Sequence, residues 1–291
     1  MKLTIIANPI AGRGRAYRSL QKYLLEWPHR DWEVDVLPTR GPNHAGQLAR
    51  DLLAHPPDVL AVCGGDGTIN EIATAVPDPP FPIALLPAGT ANVLARELGL
   101  PLNPVRALQV ALKGKVRRID LGSLGAASSR RFLFVAGIGF DAFTVSLARP
   151  EVKSKLGIVA YVVAILECLQ KYSFPEFRVT AGNRTLTATS CLACNSRKYG
   201  GGLLFCPEAD IHDGLLDILV LEGRRRLALA VFLVLAWFQR PMKGEWIHRF
   251  RSDALKIEGG EGVLVQVDGE LAGGLPLDIS LKPSSFPLII P

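Results

Sequence analysis

Two short glycine-rich segments carry the strongest chemical signal in the chain. Gly64-Gly65-Asp66-Gly67-Thr68-Ile69-Asn70-Glu71 and Leu86-Pro87-Ala88-Gly89-Thr90-Ala91-Asn92 each follow an apolar run and each lead into a helix-like stretch. Glycine lets backbone N–H groups approach an anion closely, and a helix N-terminus adds about half a positive charge pointing the same way. Two such turns, about twenty-five residues apart, read as adjacent cradles for the phosphates of a nucleotide and are more specific together than either alone. Asp66 is the acid inside the first turn. At a strand end it would hang over the phosphates, suited to a magnesium ion or its water shell; the plainer reading is an ordinary Gly-Asp-Gly turn.

Other motifs do not support a different chemistry. His29-Arg30-Asp31 starts like a protein-kinase catalytic loop, but Val36 stands where the Asn is required and no Asp-Phe-Gly follows. Gly12-Arg13-Gly14 lacks the Gly-Lys-Ser/Thr ending of a P-loop, and Gly114-Lys115 runs on into Val116. Cys191-Leu192-Ala193-Cys194 lies in a strand-like run with no second pair to complete a zinc site, so it reads as packing. The five histidines show no metal-ligand spacing. Val267-Asp268-Gly269-Glu270 reads first as a hairpin, since Asp-Gly is a favoured type I′ pair. Asp213-Gly214 likewise reads as a turn and Gly200-Gly201-Gly202 as a close-approach loop.

The elements that must position these residues follow from hydrophobic patterning. Strand-like and helix-like runs alternate: Leu3 to Ala7 then Tyr17 to Glu26, Glu33 to Leu37 then Ala45 to Ala54, Val59 to Val62 then Thr68 to Ala75, Ile83 to Leu86 then Val93 to Leu98. Such alternation predicts a parallel sheet flanked by helices. Ligands of such sheets sit at the carboxyl ends of the strands, where Asn8, Thr39, the Gly64 turn and the Pro87 turn all fall. From about Asp120 the texture turns β-rich, with runs Arg131 to Ala136, Phe177 to Ala181, Thr185 to Cys194, Leu216 to Leu221, Ala254 to Glu258 and Val263 to Val267, which predict an antiparallel sandwich. Two helical stretches interrupt it, Lys155 to Lys171 and Arg225 to Gln239. The expected fold is thus an N-terminal α/β domain over 1–121, to which 283–291 return, and a β-sandwich C-terminal domain over 122–282, with a nucleotide cleft between them.

Composition bounds the setting. The chain has 291 residues, is 48% hydrophobic and 21% charged, and is therefore not disordered. Its net charge of +6 favours an anionic partner, whether nucleotide, nucleic acid or membrane face. Five cysteines do not make a secreted disulfide framework, and Met1-Lys2-Leu3 runs directly into a strand rather than a leader, so a cytoplasmic protein is expected. The apolar stretches Leu156 to Leu166 and Leu227 to Phe238 are shorter than the roughly 20 residues needed to cross a bilayer. Trp237, Phe238 and Trp246 close to arginines suit an anionic bilayer interface, where each Lys or Arg contributes about 1 kcal/mol. The run Ala228 to Phe238 is nevertheless hydrophobic all round and reads as a buried helix with arginine-solvated ends.

Set in order, the motifs resemble a known family. Asn8-Pro9 with Gly12, Thr39, Gly64-Gly65-Asp66-Gly67-Thr68 with Asn70-Glu71, and Pro87-Ala88-Gly89-Thr90-Ala91-Asn92 are similar to the soluble lipid kinases of the diacylglycerol kinase and sphingosine kinase family. The resemblance continues through Asp120-Leu121-Gly122, Gly137-Ile138-Gly139-Phe140-Asp141, Asn195 with Lys198 to Gly202, Pro207 with Ala209, Asp213 to Asp217, and Asp268-Gly269-Glu270. It implies ATP as donor, held by Asn8, Thr39, Gly64, Gly65, Asp66, Gly67, Thr68, Gly89, Thr90 and Asn92. It implies Asp268 as the general base toward an acceptor hydroxyl, with Glu270 beside it. Asp66 and Asp120 would belong to the carboxylate and water network of a catalytic Mg2+. Asp213 through its side chain, with Asp210 and Leu215 through their carbonyls, would hold a second, structural Mg2+. The implied partners are a lipid acceptor and the inner, anionic face of a membrane, with no nucleic acid; pairing of exposed strand edges would give a homodimer.

The reading that results is an ATP- and Mg2+-dependent lipid kinase acting on a diacylglycerol-like hydroxyl. Its rivals are a kinase of another small molecule, such as an NAD kinase, which also carries a Gly-Gly-Asp-Gly-Thr turn, and a nucleotide-binding regulatory protein without turnover. The Pro87 to Asn92 turn and Asp268-Gly269-Glu270 favour the lipid enzyme over the first, and retention of Asp66, Asp268 and Glu270 argues against the second.

Overall fold

The computed structural model describes residues 1–125, 130–147, 167–199, 203–240 and 243–291. Most of the expected helix Lys155 to Lys171 and the Gly200 to Gly202 loop lie outside the described residues; 167–171 are helical. The chain divides into two compact units, Met1–Leu121 with Lys282–Pro291, and Gly122–Leu281.

The first unit runs β1 (Lys2–Ala7), α1 (Arg15–Leu25), β2 (Glu33–Pro38), α2 (His44–Asp51), β3 (Val59–Gly64), α3 (Asp66–Ala75), β4 (Ile83–Pro87), α4 (Val93–Glu97) and α5 (Pro104–Lys113). Its strands lie in the order β2-β1-β3-β4, all pairs parallel, with Leu3 opposite both Val34 and Val59 and Leu60 opposite Ile83. β1 and β3 are buried at nearly every position, as central strands of a helix-covered parallel sheet must be. Leu3, Ile5, Leu20, Leu86, Leu108 and Ile289 are among the buried side chains of this core. At α5, the Asn103 carboxamide accepts the Val105 and Arg106 amides at 3.0 and 3.1 Å, and Pro104 opens the first turn.

The second unit contains β6 (Arg131–Phe132), β7 (Val135–Gly139), α6 (Phe140–Leu147), β8 (Phe177–Ala181), β9 (Arg184–Ala188), β10 (Ser190–Cys194), β11 (Lys198–Tyr199), β12 (Leu203–Leu204), β13 (Leu216–Leu221), α7 (Arg226–Trp237), β14 (Ile247–Ser252), β15 (Ala254–Glu258), β16 (Leu264–Val267) and β17 (Glu270–Gly274). The long strands β5 (Lys115–Leu124) and β18 (Leu277–Ile290) each run through a boundary between the units. Within this unit the first part of β18 pairs antiparallel with β15, followed by β8 and β9; the other sheet has the order β14-β13-β10-β7-β16-β17. Phe177, Val179, Leu255, Ile257 and Ile279 of one sheet share a core with Ile138, Ala193, Ile218 and Val265 of the other, which makes an antiparallel β-sandwich.

Four sequence expectations change. The run Thr185 to Cys194 is two strands in different sheets, because Thr189 leaves the ladder and donates its amide to Leu221 O (2.9 Å) and its hydroxyl to Gly223 O (3.1 Å). The run Arg131 to Ala136 breaks at Leu133 and Phe134, whose amides turn onto the Asp268 carboxylate. Ile247–Ser252, which follows no strand-like run of the sequence reading, forms β14, paired along β13. Helix α7 is not buried all round: Leu229, Phe232 and Ala236 are buried, while Leu227, Val231, Val234 and Phe238 are exposed.

Candidate active site

In the first unit the two glycine turns abut. A Cβ on Gly89 would lie 2.7 Å from Gly65 Cα and one on Gly65 3.1 Å from Gly89 Cα, so the approach excludes a side chain at 89 and crowds one at 65. The Gly89 turn is closed by Asn92, whose Oδ1 accepts Gly89 N and whose Nδ2 donates to Gly89 O, both at 2.9 Å. Gly12, at φ +54°, leans its loop on the same turn, where a Cβ would collide with Ala88 O. The neighbouring strand ends are laced together: Asn8 N donates to Cys63 O, Thr39 N to Ala7 O and Ala88 N to Gly64 O, each at 2.8 Å. The structure thus brings Asn8, Thr39, Gly64, Gly65, Asp66, Gly67, Thr68, Gly89, Thr90 and Asn92 to the loops at the carboxyl ends of β1 to β4.

Asp66 opens α3, and its carboxylate caps a second helix. Val93 N donates to Oδ2 at 3.1 Å and Leu94 N to Oδ1 at 3.2 Å, the first amides of α4. Asn92 makes no cap of its own there, being at φ +47°. An acid between two helix starts is favoured electrostatically. Each oxygen spends one lone pair on an amide, which leaves room for a single cation or its water. Magnesium takes one or two carboxylates and fills the remainder of its shell with phosphate oxygens and water, so Asp66 fits that use. Asp120, by contrast, is wholly buried, and its Oδ1 accepts Ser284 N at 2.6 Å, tying β5 to β18.

In the second unit Asp268 sits on the turn between β16 and β17 at φ +48°. Leu133 N donates to Oδ2 at 2.7 Å, and Phe134 N and Val135 N to Oδ1 at 3.0 and 2.9 Å. The bend that offers these amides is itself held by buried Asn195, whose Nδ2 donates to Leu133 O at 3.0 Å and whose N donates to Phe134 O at 2.8 Å. On the other side, Gly269 N donates to Gln266 Oε1 at 2.7 Å and Tyr199 OH to the same oxygen at 3.1 Å. Gln266 Nε2 in turn donates to Asp141 Oδ2 at 2.5 Å. Burial pushes the Asp141 carboxyl up to about 6, and the Gln266 bond opposes that rise. Glu270 is exposed and lies 3.6 Å from Arg130 Nη1, a surface pair of little energetic weight.

The proposed second metal set is arranged differently. Asp213 Oδ1 accepts Leu215 N at 3.0 Å, and its Oδ2 lies 3.4 Å from Arg251 Nη1. Asp210 Oδ1 accepts His212 N and Asp210 O accepts Asp213 N. The Arg251 guanidinium, which also reaches Asp217 at 3.4 Å and donates to Glu208 O, supplies the positive charge a cation would bring. Among the described residues no three His, Cys, Asp or Glu side chains cluster as metal ligands.

Sequence reasoning missed Gln266 and the placing of Asp141. The available signal was a lone amide inside the valine-rich strand Leu264–Val267, since a buried polar side chain requires a partner.

Residues 2–124 match the diacylglycerol kinase catalytic domain, and residues 135–290 match the YegS C-terminal NAD kinase beta sandwich-like domain. The chain is 31% identical over 296 residues to a diacylglycerol kinase of Mycobacterium tuberculosis, spanning 100% of this chain and 95% of the relative. It is 31% identical over 268 residues to a probable lipid kinase, YegS-like, of Pseudomonas aeruginosa, spanning 89% and 85%. A crystal structure of a diacylglycerol kinase from Bacillus anthracis shares the fold at a TM-score of 0.75 and 22% identity, covering 100% of this chain and 97% of that one. An NAD kinase of Archaeoglobus fulgidus, in complex with ATP, shares the fold at 0.54 and 14% identity, covering 100% and 93%.

Proposed function

The chain belongs to the diacylglycerol kinase catalytic-domain family and is a lipid kinase, and from that premise we propose that it transfers the γ-phosphate of ATP, with Mg2+, to a hydroxyl of a diacylglycerol-like lipid. The observation that carries the donor half is Gly67. Gly64, Gly65 and Gly89 are demanded by the packing of the turns, but a Cβ on Gly67 would meet nothing within 4 Å, and the residue is exposed at the start of α3. The fold has no use for glycine there. A polyphosphate laid against the first amides of α3 does.

Phosphoryl transfer asks a protein mainly for positioning and for neutralisation of charge on the equatorial oxygens. The glycine turns of the first unit supply backbone donors, and Asp66 supplies one carboxylate to the metal shell. Bound Mg2+ would neutralise the phosphate oxygens. Asp268 takes the acceptor's hydroxyl proton as that oxygen forms its bond to the γ-phosphorus; the β–γ bridging P–O bond breaks and ADP leaves with its electron pair. The three amides on Asp268 fix the carboxylate beforehand, so no ordering of the base is left for the moment of reaction. Diacylglycerol, monoacylglycerol, phosphatidylglycerol and sphingoid bases share a primary hydroxyl beside an apolar tail, and all fit this chemistry. A transfer screen with γ-labelled ATP over those lipids, with NAD included, is expected to label a lipid. Label on NAD alone, or on nothing, overturns the proposal.

A further inference from the structure

Helix α7 is apolar on two opposite faces. At 100° per residue, Leu229, Phe232 and Ala236 point one way and are buried, with Phe232 stacked on Phe205 at 6.0 Å and meeting Trp246 edge-on at 6.4 Å. On the opposite side Leu227, Val231, Val234 and Phe238 fall within about 60° of one another, and they are 81, 44, 54 and 68% exposed. Trp237 flanks this stripe, also exposed. Four large apolar side chains in one exposed row mark a surface that something covers.

The charges around it select the partner. Arg224 and Arg225 precede the helix and Arg240 and Lys243 follow it, all exposed. The helix contains no acid, and Glu245 is the sole acidic residue between 224 and 246. An aliphatic row bordered by an indole, a phenyl ring and cations at both ends complements the headgroup and acyl boundary of an anionic bilayer. The helix is 12 residues, roughly 18 Å at 1.5 Å per residue, so it can lie along the surface but cannot cross. Among the described residues no helix is long and apolar enough to span.

We propose that the Leu227, Val231, Val234, Phe238 face of α7 docks into the interfacial layer of an anionic membrane, with Arg224, Arg225, Arg240 and Lys243 against the headgroups. The choice of occupant rests on the lipid-kinase reading, since a diacylglycerol-like acceptor resides in a bilayer. The docking itself requires neither ATP nor turnover.

Flotation of the full chain with vesicles of phosphatidylcholine, alone or with about one-third phosphatidylglycerol, tests it without nucleotide. Wild type is expected to float with the anionic vesicles, less so at high salt. The triple variant Val231→Ser, Val234→Ser, Phe238→Ser should lose at least about tenfold in partitioning while keeping its melting temperature and its transfer rate to a short-chain, water-soluble diacylglycerol. Arg224→Gln with Arg225→Gln, Arg240→Gln and Lys243→Gln should remove the salt dependence. Equal flotation of wild type and triple variant overturns the proposal. So does lipid-free self-association of wild type that the triple variant abolishes, because a second copy would then be the cover. Flotation that follows the stripe in a protein unable to phosphorylate any diacylglycerol would leave the docking surface standing and sink the acceptor assignment instead.

Discussion

Replacing Asp268 with Asn separates the structural job its carboxylate performs from the catalytic one proposed for it. Three backbone amides donate to it, Leu133 N on Oδ2 and Phe134 N and Val135 N on Oδ1, at 2.7 to 3.0 Å. An asparagine can keep the pair at 134 and 135 on its oxygen, but its NH2 then faces the Leu133 N–H, donor against donor. At least one partly buried donor loses its acceptor, at about 1–3 kcal/mol. The backbone adds no further penalty, because Asn tolerates the positive φ of this turn well. For a chain of this size about 2–4 °C accompanies each kcal/mol, so the melting temperature should fall by about 2–12 °C. Turnover, measured well below the new midpoint, should fall at least about a hundredfold through loss of the base, with affinity for a non-hydrolysable ATP analogue nearly intact. Calorimetry and initial rates on the same preparation read both numbers. Near-normal turnover would remove Asp268 as base, and an unmoved midpoint would refute the amide cradle.

The two kinds of glycine in the glycine-rich turns should respond in opposite ways. Gly67→Ala should leave the fold intact or firmer by about 0.5–1 kcal/mol, as Ala does at helix positions, yet weaken an ATP analogue at least about tenfold; Gly89→Ala, whose Cβ meets Gly65 Cα at 2.7 Å, should lose stability by about 1–3 kcal/mol. Titration calorimetry with thermal melts distinguishes them, and unchanged nucleotide affinity in Gly67→Ala would defeat the phosphate reading. The Asp141 carboxyl, raised by burial from 3.8 to about 6, binds its proton more tightly folded than unfolded. The stability it contributes is full below 3.8 and is lost as pH rises through about 6, a swing of about 3 kcal/mol at 1.36 kcal/mol per unit. Asp141→Asn has no such proton, so from pH 4 to pH 8 urea unfolding should shift by about that amount in the variant's favour; parallel pH curves would show that this carboxyl does not titrate as described.

What was legible in the sequence was whatever a residue type settles locally. The apolar runs of β1 and β3 and the glycines at 64, 65 and 89 each state their own geometry within a few residues. The break at Thr189 and the strand at Ile247–Ser252 were not legible, because both depend on pairing with β13 rather than on their own pattern. Exposure along α7 was hidden for a different reason. A helix apolar on every side carries no periodic mark of which face the core takes, and here the core takes Phe232 and leaves Phe238 in water. Hydrophobicity gives the amount of apolar surface, while the tertiary neighbours Phe205 and Trp246 decide where it is covered.

The candidate site shows the same division more sharply. Asp66 and Asp268 stood out as acids on glycine turns, but the amides that hold them lie 27 and 28 residues away in one case and 133 to 135 in the other. No local pattern announces such partners, since a backbone N–H is present at almost every residue. Both acids are therefore positioned by main chain, which side-chain motifs cannot record. This has a consequence for substitution. Changes at Leu133, Phe134, Val93 or Leu94 that preserve the backbone path keep all five amide donors to the two acids, whereas a proline at any of these positions deletes one. The bend at 133–134 and the first turn of α4 thus carry as much of the site as the acids themselves, and their requirement is for a path of the chain rather than for any particular side chain.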